Sequence, residues 1–169
     1  MSNVTTVTIE IVDKATEHIS IMSFVTEERD EKGFSRWTRE ASDANIEVEL
    51  VKSGQDLTKI SWRRIDRADI PASRDFRNSW RNNGGKLAVD MPLARADHMA
   101  KIRRRRDRVL IRKDAEWLRE FSRGNQVAAD AIEAERQVLR DIPATIQSTI
   151  DAATAPDTLK AVWPTALDR

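Results

Sequence analysis

From Met91 the chain meets no helix breaker until Gly124 except Pro92, and Pro92 falls in the first turn, where its missing N–H costs nothing. The stretch predicts a helix of about 33 residues, roughly 50 Å long at 1.5 Å per residue, with Asp90 as its cap. Met99, Ile102, Leu110, Trp117 and Phe121 form its apolar seam, with Val109 and Leu118 beside it and Arg106 and Lys113 in the intervening seam positions. Spacings of three and four mark a coiled-coil-like stripe with a polar gap. Gly124-Asn125 reads as a turn. A second helix is expected from about Gln126 to Ile142, stopped by Pro143, with Val127 or Ala128, Ala131, Ile132, Val138 and Leu139 on one face. A short loop between matching stripes predicts a helical hairpin.

The two helices are unequal. About 17 residues reach only some 25 Å, so Met99, Ile102 and the neighbouring Leu93 need a further cover. The N-terminal domain, the C-terminal tail and a second chain are all open as that cover. Arg106 and Lys113 would be costly in a dry seam unless acidic groups face them.

Ahead of the hairpin, β-branched residues dominate. Val4, Thr6 and Thr8 alternate with Val7, Ile9 and Ile11; a polar break at 13–17 is followed by Ile19, Ile21, Phe24 and Val25, as in a β-hairpin. A charged turn over 29–33 and a third strand over 34–38 complete the set. Residues 42–54 are ambiguous, because Ile46, Val48 and Leu50 alternate as a strand would. Ser42 or Asp43 as N-cap, Lys52 in the last turn and Gly54 just beyond it favour a helix, with Ala44, Val48 and Val51 on one face. A strand over 57–65 follows, then a short helix from Ser73 to Arg81 that puts Phe76 and Trp80 on one face, and a short strand over 86–89 after Gly84-Gly85. The fold class is α+β: a small N-terminal β-rich domain (1–90), a long helical hairpin (91–143) and a short helical C-terminal tail (144–169).

Composition removes several chemistries. Cysteine is absent, which excludes disulfides and thiolate catalysis, and His18 and His98 alone cannot make a histidine-rich metal site. No apolar run approaches the length of a membrane span, and the opening residues lack the pattern of a secretory signal. Asp66, Asp69 and Asp75 do not have the spacing of a calcium loop, and the arginines around them read as salt-bridge partners. No nucleophile, metal or cofactor pattern is visible, so the expectation is a non-enzyme without cofactors.

The net charge of +1 hides segregation. Residues 1–60 carry 7 basic and 12 acidic groups, residues 61–123 carry 18 and 9, and residues 124–169 carry 4 and 7. The basic run Lys101, Arg103, Arg104, Arg105, Arg106 and Arg108 is the one feature that invites nucleic acid. Against it, consecutive arginines spread around a helix rather than along one stripe, no aromatic residue interleaves with them, and no nucleic-acid-binding motif is present. Pairing with Glu133, Glu135 and Asp141 across the hairpin, or with acidic neighbours in an assembly, accounts for them more simply. Met99, Ile102, Arg103, Arg106 and Lys113 are therefore candidate protein contacts. So is Trp163, which beside Pro164 reads as an exposed anchor.

Three strings carry a resemblance. Asp69-Ile70-Pro71 leads into Arg74-Asp75-Phe76-Arg77-Asn78-Ser79-Trp80. Val89-Asp90-Met91 follows, with Ala94, Arg95 and His98; then Arg136-Gln137-Val138-Leu139-Arg140-Asp141-Ile142-Pro143. Together, over roughly residues 60 to 164, they resemble a recurrent block in small proteins of tailed bacteriophages, usually encoded near tail-fibre genes. The last string and the closing Trp163-Pro164 are also similar to tail-fibre assembly chaperones. The basic run over 103–113 departs from the milder arginine pattern of those proteins. The resemblance implies a virion protein of the tail region, present in the host cytoplasm during assembly, that contacts other phage structural proteins or itself. The alternatives are a fibre-assembly chaperone absent from the mature particle, and a nucleic-acid-binding phage protein using residues 101–113.

Overall fold

The computed structural model describes residues 5–29, 35–38 and 42–168. The chain is α+β and divides into two compact units, residues 1–89 and 90–169.

In the first unit, β1 (Thr5–Asp13) and β2 (Ile19–Arg29) form an antiparallel hairpin, joined by β3 (Ser35–Thr38) on one side and β4 (Ile60–Arg64) on the other. The sheet order is β3-β2-β1-β4, antiparallel throughout. The turn between β1 and β2 is held by the Asp13 carboxylate, whose Oδ1 accepts the N–H groups of Ala15 and Thr16 and the Thr16 hydroxyl. Those bonds favour the charged form and hold the Asp13 carboxyl below its ordinary value. Val4, most of the charged turn over 29–33 and Phe34 lie outside the described residues.

Alternation along β1 sorts the two faces. Ile9 and Ile11 pack with Ile60 against Ile46 and Leu50 of α1 (Asp43–Lys52). The Ser42 hydroxyl caps α1 by accepting the Asn45 N–H. The helix expected from its end signals is present, but its buried face is Ile46 and Leu50, while Val48 and Val51 are exposed. On the other side Ile19, Ile65, Trp80 and Leu87 form a second cluster with Val12, Ile21, Ile70 and Val89.

That second cluster corrects one expectation. The segment after Ser73 is not a helix through Arg81. Only a single 3₁₀ turn (Arg77–Ser79) forms before β5 (Trp80–Asn83), which pairs with β6 (Lys86–Val89). Gly84 and Gly85, with φ of 60° and 97°, make the two-residue turn that matches strand twist, and such a turn demands positive φ at both positions. The hairpin uses Trp80 as a strand residue facing the cluster, which a helical phase would have broken.

In the second unit, α2 (Met91–Ser122) begins at Asp90, whose Oδ1 accepts the Leu93 N–H, and ends before Gly124 at φ 72°. Its 32 residues span about 48 Å. Asn125 caps α3 (Gln126–Ala152), which packs against α2. Here the expected boundary fails: Pro143 sits inside α3, and the helix continues to Ala152. A proline removes one N–H and crowds the carbonyl four residues back, yet Leu139, Ile142 and Ile150 are all buried, and that continuous apolar face outweighs the lost bond. The tail follows with α4 (Pro156–Ala161) and a 3₁₀ turn (Thr165–Leu167), both packed on α2. Among the described residues no helix is long and apolar enough to cross a membrane.

Candidate interaction surfaces

Met99 and Ile102 are not available to a partner. They are 5% and 0% exposed, buried within the second unit along with His98, Leu159 and Leu167. The C-terminal tail packs on α2, and α3, at 27 residues, reaches further along α2 than the 17 residues expected, so the length mismatch behind the expected extra cover is mostly absent. Trp163 is half-buried and held by contacts within the unit, not a free-standing anchor. Its ring meets His98 edge-on at 6.1 Å, its indole N–H donates to Asp168 Oδ1 at 2.9 Å, and Lys101 Nζ lies 5.8 Å from its ring centroid. Three α2 side chains reach backbone carbonyls beyond α3's last turn. Arg95 donates from Nε and Nη2 to Ala153 O, His98 Nε2 lies 2.8 Å from Val162 O, and Arg105 Nε donates to Leu167 O.

The polar gap in the seam is filled as electrostatics requires. Lys113 Nζ sits 2.8 Å from Glu135 of α3 and 2.7 Å from Glu116 of α2, and these bonds raise the lysine above its ordinary value. Arg136 of α3 answers from the other side, 2.6 Å from Asp114 and over the Trp117 ring at 5.4 Å, with Glu133 as a second partner. Trp117 in turn stacks on Phe121. Arg106 pairs with its neighbour Asp107 at 2.7 Å.

The basic run is thus divided. Lys101, Arg105 and Arg106 have roles inside the unit. Arg103, Arg104 and Arg108 are exposed and have no ion-pair partner among the described residues. On α3, Asp130 and Asp141 are exposed and accept the amides of Gln126 and Gln137; neither has a salt bridge among the described residues, although Arg140 lies near enough to Asp141 to feel its charge. Each helix therefore displays charge that the other does not neutralise.

It also displays apolar surface. Ile111, Leu118 and Phe121 on α2 are 69%, 58% and 51% exposed, and Val127 and Val138 on α3 are 84% and 60% exposed. Comparison with family models, with curated proteins and with solved structures finds no match to this chain. Its surfaces have to be read from their own chemistry.

The first unit contributes a groove of about 1010 Å³, lined by Thr8, Ser23, Arg63, Arg67, Asp69 and Arg74 among others. Below it lies a group that sequence reading missed. Glu10 is fully buried on the face of β1 opposite Ile9 and Ile11, paired with Arg63 of β4 and approached by Asn82 Nδ2 at 3.4 Å. Its one sequence signal was an acid between two core isoleucines; the cation lies far along the chain. Of the arginines near Asp66, Asp69 and Asp75, Arg63 pairs with Glu10 and Arg64 with Asp43 at 2.8 Å. Asp69 meets Lys86 instead, at 3.3 Å. Among the described residues no three His, Asp or Glu side chains gather as a metal centre needs.

Proposed function

We propose that the chain is a non-enzymatic structural protein of a tailed bacteriophage, associated with the tail or its fibres and acting through protein–protein contacts. The phage setting rests on the resemblance of the strings at 69–80, 89–98 and 136–143. The contact role rests on one observation: Ile111, Leu118, Val127 and Val138 stay exposed on two capped helices whose inner seam is already filled. Large aliphatic side chains outside a completed seam mark a surface that another protein covers. Quantitative mass spectrometry of purified particles tests the reading. Presence at a fixed stoichiometry supports a virion component. Absence, with fibre attachment lost on deletion, would make it an assembly chaperone. Absence without any particle defect would reject both.

A second reading is favoured by Arg103, Arg104 and Arg108, which have no salt bridge among the described residues. Nucleic-acid binding through this side of α2 requires an affinity that falls with salt on a log–log scale, with a slope reduced when the three arginines are neutralised. No binding to DNA or RNA at low salt removes it.

A further inference from the structure

The exposed apolar residues of the hairpin form two stripes. Leu118 lies nine residues beyond buried Val109, half a turn around α2, and Ile111, Ala115 and Leu118 follow at spacings of four and three. On α3 the exposed stripe is Val127, Ala131, Ala134 and Val138, at spacings of four, three and four. Each stripe has the periodicity of a helix–helix seam and neither is used inside the hairpin.

The register of the hairpin supplies the occupant. Lys113 faces Glu135 and Asp114 faces Arg136 across the antiparallel pair. The same register, repeated between α2 of one copy and α3 of another, sets Ile111 against Val138, Ala115 against Ala134, and Leu118 against Ala131. Large residues then meet small ones, as close helix packing needs. It also brings Arg108 beside Asp141, two exposed charges with no salt bridge among the described residues. We infer that the hairpin is a self-association element in which the outer stripe of α2 docks antiparallel on the outer stripe of α3 of a second copy. In this register Arg108 of one copy and Asp141 of the other are complementary, and Asp130 falls opposite Arg119, while Arg104 lies opposite Thr145. Because the contact joins two different surfaces, each copy of a pair keeps one unused stripe, α3 on one copy and α2 on the other, for a further neighbour unless the set closes.

The inference deepens the reading of the chain as a contact protein, but its test needs only the purified full-length chain, so its failure and absence from a particle are separate results. An α2-face variant (Ile111→Asp with Leu118→Asp) and an α3-face variant (Val127→Asp with Val138→Asp) change exposed positions only. Circular dichroism checks that each keeps its helicity, and the milder single changes Leu118→Ser for the α2 face and Val138→Ser for the α3 face replace any that unfold. Sedimentation equilibrium should show the unaltered chain associating reversibly, and each variant alone weakened at least tenfold. An equimolar mixture should form a one-to-one complex, since one intact α2 face meets one intact α3 face. Arg108→Glu should weaken association, and adding Asp141→Arg should restore it. A monomeric unaltered chain at tens of micromolar overturns the proposal. So does an α2-face variant that associates undiminished, which would mean pairing through α3 alone, or a mixture that stays monomeric.

Discussion

Replacing Arg63 with methionine isolates the electrostatics of the first unit's core. Methionine keeps most of the unbranched stem and removes only the charge and its donors. Glu10 is fully buried, so its carboxylate would lose its cation and keep only the long contact from Asn82. Breaking a buried pair from one side costs about 3–5 kcal/mol; the Arg63 side chain is 36% exposed, so water partly screens the pair, and about 3 kcal/mol is the expected loss. For a unit of this size that corresponds to a melting temperature lower by roughly 12–24 °C. Urea titration followed by hydrogen exchange at the Ile9 and Ile11 amides reads this unit separately from the helices. The double variant Glu10→Met, Arg63→Met should regain most of the loss, because it leaves no orphaned charge. If the single variant sits within about 0.5 kcal/mol of the unaltered chain, the range of an ordinary surface change, or the double is no better than the single, the buried pair does not have the role assigned to it.

Pro143→Ala should stabilise α3 by about 1 kcal/mol or more, because it restores an N–H for the Leu139 carbonyl; thermal melting followed at 222 nm checks it, and a lower melting temperature would mean that the ring's packing outweighs the bond. Gly84→Ala should cost about 1–2 kcal/mol from backbone strain alone, since an added Cβ there meets no atom within 4 Å, and chemical denaturation should show the loss. Trp163→Ala should cost about 2 kcal/mol and raise hydrogen exchange in α4, as it removes the ring beside His98 and the bond to Asp168. Acid should weaken the second unit. Hydrogen bonds from Lys113, Arg119 and Arg140 hold Glu116, Glu120 and Glu133 below the ordinary glutamate value. Groups with lowered folded values contribute stability above their unfolded pKa and lose it as pH falls through the folded value. The melting temperature of the helices should therefore hold near neutrality and decline below about pH 4.5, with high salt flattening the decline.

Local rules with a single strong signal survived folding. Asp90, Pro92 and Gly124 bounded α2 because a cap, a first-turn proline and a positive-φ residue act within one turn of the helix end. Ser42 decided α1 against the alternation of Ile46, Val48 and Leu50 for the same reason. Readings that depended on distant packing did not survive. Pro143 looked like a stop, and only the burial of Ile142 and Ile150 on one continuous face shows why it is not. Phe76 and Trp80 have helical spacing, but the two-glycine turn and the cluster around Leu87 commit Trp80 to a strand. Trp163 could be read as exposed because its partners, His98 and Asp168, become neighbours only once the tail folds back on α2. Of the candidate contact residues, only Arg103 keeps an unpaired, outward-facing position. The apolar outer stripes were missed because Val127 and Val138 were assigned to the inner face of α3 and Leu118 to the edge of the seam on α2.

The three grips by which α2 holds the chain beyond α3 all close on main-chain oxygens: Ala153, Val162 and Leu167. A carbonyl is the same group on every residue, so these grips gauge where the tail runs and are indifferent to which side chains it carries. Exposed positions such as Thr154 and Asp157 can therefore drift. A one-residue insertion or deletion between 153 and 167 would instead carry every later oxygen out of step with its donor. In this segment spacing is the inherited quantity, and related chains should be recognisable by a constant tail length where their letters no longer agree.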